Sequence, residues 1–279
     1  MTPSEFANLA DLVRRRSGLV LTPDKIRLAE SKLAPIASRF GFRNSAQLYA
    51  ELAHPHEEIA QAVAEAMTVN DSSFFRDRLP FEHFRDAMLP RLVKTREAQK
   101  RIRIWCSAVA NGQEAYSLAM LLDEAGLAPR GWKIELIATD FSTEVVARAR
   151  AGVYSQYEVQ RGLPIQLLVK YFTQEGESWR INDRLRHMIT FRPFNLLDHF
   201  GWLGMLDIIF CRNVLMYFDE HTKGDIVHKI ADALAPDGFL VLGDTLGSVK
   251  LKPYFEQSEA RGVYIRPRAA GAKPARAAG

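Results

Sequence analysis

The sequence predicts two units: an all-helical N-terminal domain, then an α/β domain whose open parallel sheet is covered by helices on both faces. Two observations predict this. Before residue 100 the apolar residues recur at helical spacing and few strands are signalled; after it, short apolar runs alternate with helical segments. A third bounds it: 279 residues at 47% hydrophobic content suffice for one large domain or two modest ones, each with a core.

Ser4 can cap a first helix carrying Phe6, Leu9, Ala10 and Val13, which ends near Gly18. Thr22-Pro23-Asp24 is an N-cap followed by proline at the first helical position. Ile26, Ala29, Leu33, Ile36 and Phe40 extend that face to Gly41, with Pro35 as a possible kink or break. Further helices are expected at about 44–53, 56–67 and 80–98. Buried strands are expected in RIRIWCSA (101–108), KIELIATD (133–140), MITFRPFNL (188–196), LDIIFCRN (206–213) and GFLVLGD (238–244). Helices lie between them near 113–126, 142–151 and 219–235, and a closing strand pair turns at Arg261-Gly262. The stretch from Tyr171 to Thr190 carries a turn at Gly176 and reads as a small inserted hairpin.

The net charge is +4, and Arg266, Arg268, Lys273 and Arg276 of the tail account for all of it. The rest balances, which argues against a nucleic-acid-binding surface. That tail of Ala, Gly, Pro and cations is expected to be disordered. Cys106 and Cys211 each lie in an apolar run and read as buried free thiols of a reducing cytoplasm. No apolar leader and no apolar run of about 18 residues occurs, so a cytoplasmic protein without membrane insertion is expected. The pairs His54/His56 and His221/His228 lack the companions that would complete a metal site, and no metal is expected.

Ligands of parallel sheets bind beyond the carboxyl ends of the strands. Here the first strand ends in SAVANGQEAYS, with Gly112 at the turn and Glu114 opening the helix. The second ends at Asp140, an acid of the type that chelates ribose hydroxyls. The third delivers Asn195-Leu196, and the fourth Arg212-Asn213. One glycine and no GxGxxG argue against a pyrophosphate site. An acid for ribose, an acid for an amino group and an amide for an adenine edge suit S-adenosylmethionine, although each of these residues also reads as a cap, turn or packing residue.

Between the two textures lies TVNDSSFFR (68–76), four small polar residues running into two phenylalanines and an arginine. With RIWCSAVANGQEAYSLAMLL, ATDFSTEVVARARAGVY, RGLP, FRPFNLLD, DIIFCRNVLMYFD and LAPDGFLVLG, it resembles the chemotaxis receptor glutamate methyltransferases, the CheR family, in collinear order over about residues 5–265. The resemblance implies a Rossmann-like, seven-stranded class I S-adenosylmethionine-dependent methyltransferase domain with a small inserted antiparallel β-subdomain, behind an N-terminal helical domain. The expected limits are 1–75 for receptor recognition, 76–267 for the methyltransferase domain with its subdomain at about 171–190, and 268–279 for the tail. It implies methyl transfer to glutamates on the cytoplasmic helical domain of chemoreceptors, by a protein expected to be monomeric.

Residue by residue, the resemblance makes Asn70, Ser72 and Arg76 cofactor contacts from the interdomain segment. Gly112 belongs to the glycine turn, Glu114 to the methionine moiety, Asp140 to the ribose, and Asn195 and Leu196 to the adenine side. Arg212 and Asn213 follow as contacts after the fourth strand, and Tyr217 as the hydroxyl near the transferred methyl. Arg76 and Tyr217 are the candidate catalytic residues. Phe74 and Phe75 are expected to pin this loop across the domain junction. Lys25, Lys32 and Arg39, seven apart, form a stripe that is either a solvated face or, on the resemblance, a contact for acidic receptor helices.

The chain departs from the family pattern at its turn. Ala108 stands where glycine is common, Gln113 for glutamate and Ala115 for proline; a methyl at Ala108 crowds the site if that position needs positive φ or close approach. A catalytically weak S-adenosylmethionine- or S-adenosylhomocysteine-binding signalling module, and a methyltransferase acting on another protein or a small molecule, are the alternatives.

Overall fold

The computed structural model describes residues 1–243 and 251–267; the basic tail and the Asp244 end of the GFLVLGD run lie outside the described residues. Helix α1 (Pro3–Ser17) starts two residues earlier than a Ser4 cap indicates. Thr2 is the N-cap, and its capping box with Glu5 satisfies two donors that Ser4 cannot reach. Gly18 ends the helix at φ 77°, and a Cβ there would meet the Phe218 ring at 2.9 Å. A single 3₁₀ turn at Pro23–Lys25 leads into α2 (Ile26–Arg39), which Pro35 does not break. Pro35 and Ser31 are both exposed, so the Ser31 carbonyl that proline cannot serve is open to solvent. Helices α3 (Ser45–Glu51) and α4 (Glu57–Ala66) complete a core around Leu9, Leu33, Leu48 and Val63.

The helix expected over 80–98 is three pieces: α5 (Leu79–His83), a π turn at Phe84–Met88, and α6 (Leu89–Thr95). Pro90 cannot donate backward, and the chain widens to i→i+5 bonding just before it. Strand β1 (Arg101–Cys106), helix α7 (Gln113–Glu124), β2 (Lys133–Asp140) and α8 (Thr143–Ala151) alternate as expected.

The insertion begins earlier than its hairpin. It comprises β3 (Val153–Ser155), α9 (Gln156–Gln160), α10 (Ile165–Tyr171), β4 (Phe172–Glu175), β5 (Ser178–Ile181) and α11 (Asp183–His187). β4 and β5 form the expected hairpin, but β5 also pairs antiparallel with β3, giving a three-stranded sheet. Three residues alternate too briefly to signal a strand from sequence, and β3 is recruited by its partner.

The main sheet resumes with β6 (Ile189–Pro193) and β7 (Leu206–Phe210), then α12 (Glu220–Ala233), β8 (Leu234–Val241), β9 (Glu256–Gln257) and β10 (Val263–Ile265). Its order is β6-β2-β1-β7-β8-β10-β9. β1, β2, β6, β7 and β8 are parallel, whereas β10 runs antiparallel to β8 and to β9, so the seven-stranded sheet is mixed. Chain order runs outward in opposite directions from β1 and β7, which makes their boundary the switch point where crossovers diverge and a crevice opens. Both cysteines are buried and free. Among the described residues no helix is long and apolar enough to cross a membrane.

Candidate cofactor site

Above that switch point lies a cavity of about 870 Å³ including its mouth. The ends of β1, β2, β6 and β7 deliver Ser107, Ala108, Asp140, Asn195 and Arg212 to it. The interdomain strap closes it with Asn70, Ser72 and Arg76, and the helical domain adds Ser17 and Leu19. Glu114, Leu196, Asn213 and Tyr217 also line it. Gly112 alone of the sequence-derived cofactor contacts does not. At φ 91° it caps α7 facing α8, where a Cβ would sit 3.0 Å from the Ala149 Cβ; its work is the turn and the close packing behind the site.

Asp140 is buried and accepts from the backbone N–H of Ala110 at 2.9 Å and of Ser142 at 3.2 Å. Burial pushes its carboxyl above the ordinary range, against these backbone donors that favour the charged form. The donor at Ala110 needs φ 48° there, so the left-handed position of the turn is Ala110 rather than Ala108. Ala108 lines the cavity without that strain, and its methyl takes up room a glycine would leave open.

Arg212 is 2% exposed in its side chain and ties the site together. Its Nη1 donates to Glu114 Oε2 at 2.8 Å, and Nη2 donates to Asp77 Oδ2 at 2.7 Å and to the Arg76 carbonyl at 2.9 Å. Its guanidinium lies 5.5 Å from the Phe81 ring centre, and its Nε is buried without a protein partner. Burial drives the Glu114 carboxyl up and Arg212 offsets part of that rise. The network explains why Arg212 is a strand-end residue and yet buried: it holds the strap to the sheet.

The strap is strained and over-determined. Phe75, Asp77 and Arg78 have φ of 49°, 66° and 47°, a conformation that costs side-chain-bearing residues about 1–2 kcal/mol each. Phe74 is fully buried, edge-on to Tyr154 and Phe172, which contributes about 2 kcal/mol or more. Phe75 N–H donates to Ser117 Oγ at 3.0 Å, and Arg161 of the insertion grips Asp71 with both amino groups, at 2.5 and 3.1 Å. Arg76 Nη1 donates to the Asp71 carbonyl at 2.9 Å.

Asn195 lines the cavity with its amide already partnered. Its Nδ2 donates to the Arg16 carbonyl at 2.7 Å and its Oδ1 accepts from Leu197 N–H at 3.0 Å, so the amide bolts the segment after β6 to the helical domain. Lys32 is partnered too. Half-buried, it donates to the Thr68 carbonyl at 2.7 Å, and Arg39 lies over the Phe40 ring, so the expected stripe is not three free cations. Phe141 and Phe194, which sequence reasoning passed over, are aromatic walls of the cavity; their signal was adjacency to the strand-end Asp140 and Asn195.

The donor set fits an adenosyl ligand bearing an amino acid: a buried acid at a strand end, aromatic walls, a second buried acid and an arginine whose Nε is unspent. Matches to known families agree with this geometry. Residues 70–264 match the family model described as the CheR methyltransferase SAM binding domain, and residues 4–68 match the CheR methyltransferase all-alpha domain. A chemotaxis protein methyltransferase 1 of Pseudomonas aeruginosa is 35% identical, covering 86% of this chain and 89% of that protein. A chemotaxis protein methyltransferase of Vibrio parahaemolyticus is 33% identical over 92% of this chain and 94% of its own length; one from Escherichia coli is 32% identical over 87% and 84%. A helical domain, a strap and a methyltransferase sheet closing on one cavity, with the two family models together matching residues 4–68 and 70–264, place this chain in the CheR methyltransferase family.

Proposed function

We propose that the protein is a protein-glutamate O-methyltransferase acting on the cytoplasmic helices of chemoreceptors, working in the cytoplasm without a metal. On this reading residues 1–75 recognise the receptor and 76–267 carry the chemistry. The observation that carries it is one cavity walled by Asp140 and Arg212 from the sheet, Arg76 from the strap and Leu19 from the helical domain, so that the two domains meet there. The names of the relatives support a chemotaxis role.

S-adenosylmethionine supplies a methyl group already activated by sulfonium charge. A glutamate acceptor, with an ordinary pKa of about 4.3, is ionised at neutral pH, so no protein base is called for. The residues then bind, orient and exclude water. Asp140 would accept from the ribose hydroxyls, the Asn195-Leu196 backbone would meet the adenine edge, and Glu114 would meet the amino group. Arg76 and Tyr217 would orient the incoming carboxylate, the first by a charge-assisted bond.

The test pairs S-adenosylhomocysteine calorimetry with methylation of a receptor cytoplasmic fragment. Arg76→Ala is expected to stay folded and to lower methylation by about 100-fold or more. A folded Arg76→Ala protein with wild-type methylation removes Arg76 from this role. Binding of S-adenosylhomocysteine without methylation of any receptor favours the signalling-module reading.

A further inference from the structure

A second depression, about 590 Å³ with its mouth, lies against the cofactor cavity. The two share Leu19, Val69 and Tyr217 as common lining. Beyond these stand Leu28 of α2 and Val20 of the segment after α1, with Lys25 and Lys32 also lining the groove. Val20, Leu28 and Val69 are 44%, 49% and 52% exposed, and large aliphatic groups gathered at one mouth mark a surface that is covered in use. Val20 N–H donates to the Tyr217 carbonyl at 2.9 Å, so groove and candidate catalytic tyrosine are fixed to one another.

Three features name the occupant. An acceptor carboxylate on a protein must reach the cavity from outside, and the groove adjoins it through Tyr217. A helix sets residues i and i+4 on one face about 5–6 Å apart, so neighbouring side chains of one helix face can enter two adjoining depressions. Lys32 spends one of its three donors on Thr68, and Lys25 pairs, among the described residues, with exposed Asp24, so both can meet an acid. We propose that this groove is the acceptor-side subsite: it takes an apolar side chain of the receptor helix one turn from the glutamate being methylated, while Lys25 and Lys32 meet an acidic neighbour on that helix. This rests on the receptor-methyltransferase reading and deepens it, moving part of substrate selection from charge to an apolar slot.

The test uses the full-length protein and a soluble receptor cytoplasmic fragment. Cys106 and Cys211 are buried, so Leu28→Cys places one accessible thiol in the groove. An environment-sensitive dye there is expected to respond to the receptor fragment and not to S-adenosylhomocysteine alone. Leu28→Asp is expected to lower kcat/KM for receptor methylation about tenfold, mainly through KM, with S-adenosylhomocysteine affinity within about twofold of wild type. Serine in place of the receptor's apolar residue should cost a similar factor, and adding Leu28→Asp to it should cost little more, as two halves of one contact do.

Wild-type methylation by Leu28→Asp with a silent dye overturns the subsite. A dye response that needs only higher concentrations of the protein itself assigns the groove to a second copy and also overturns it. If the wild type methylates no receptor, the functional reading fails instead, and the dye response to the fragment still decides the groove.

Discussion

Asp140 and Glu114 are both buried carboxyls pushed upward by desolvation, and their neighbours give them different work. Asp140 has only backbone donors, leaving lone pairs for a ligand. Hydroxyl donors favour its charged form, so S-adenosylhomocysteine affinity should rise as pH climbs through the raised Asp140 value. Asp140→Asn should weaken binding by about 10- to 100-fold, roughly the loss of a charge-assisted bond, and flatten that pH dependence. An unchanged pH profile in calorimetry excludes Asp140 as the ribose acid. Glu114 instead depends on Arg212, and Arg212→Met leaves it buried without its counter-charge. That substitution should cost about 3–5 kcal/mol in thermal or denaturant unfolding; adding Glu114→Gln should restore part of it, and no restoration would mean the two are not coupled. Asp140 and Arg212 were legible because strand ends are where a parallel sheet presents chemistry. The bolt from Asn195 was not, since its partner Arg16 lies 179 residues away and nothing local announces it.

Among the elements, the strap has the most consequence. Its strained backbone holds because the insertion presses on it: a Cβ on Gly162 would come within 2.2 Å of the Phe74 carbonyl oxygen. Gly162→Ala must therefore push the strap or the insertion aside, and φ 89° at that position adds strain. The expected outcome is S-adenosylhomocysteine affinity at least about fivefold weaker, with the loss larger than for the exposed clamp variant Arg161→Ala. Equal affinity in Gly162→Ala and wild type means the strap is not held from that side. The sequence showed that TVNDSSFFR joins two textures and that its rings are anchors. It did not show that RGLP, nearly ninety residues on, is the surface they are clamped by. Elements with a local cause were readable, such as the α2 face and the hairpin at Gly176; β3, the π turn and the clamp arise from partners distant in sequence.

At the scale of the molecule, the domains are joined by specific contacts rather than by a free linker. Leu19 bridges Phe218, Arg14 pairs with Asp219 at 2.9 Å, and Glu65 accepts from Ser142 and Thr143. Opposite the cavity, Glu135 gathers Arg101, Arg103 and Lys133. Partial burial pushes Glu135 up, but these cations together outweigh it and pull it down to about 2. A lowered carboxyl gives stability that is present above its ordinary value of 4.5 and lost as pH falls toward about 2. Glu135→Gln should thus cost about 1–2 kcal/mol at neutral pH, after allowance for solvent screening, and shrink the difference from wild type in acid. An undiminished difference near pH 2 contradicts this assignment. Fold class, strand ends and family were readable from the chain. The groove beside the cavity required the folded arrangement, because Lys25, Leu28 and Val69 converge on Tyr217 only in space.

The central claim is that this cavity transfers methyl groups to receptor glutamates, and labelled methyl transfer to receptor-bearing membranes tests it most directly. The account predicts label on receptor peptides at glutamate, released as methanol by mild base, and strongly reduced with Asp140→Asn. Base-stable label, label on another class of molecule, or full transfer by Asp140→Asn would contradict it.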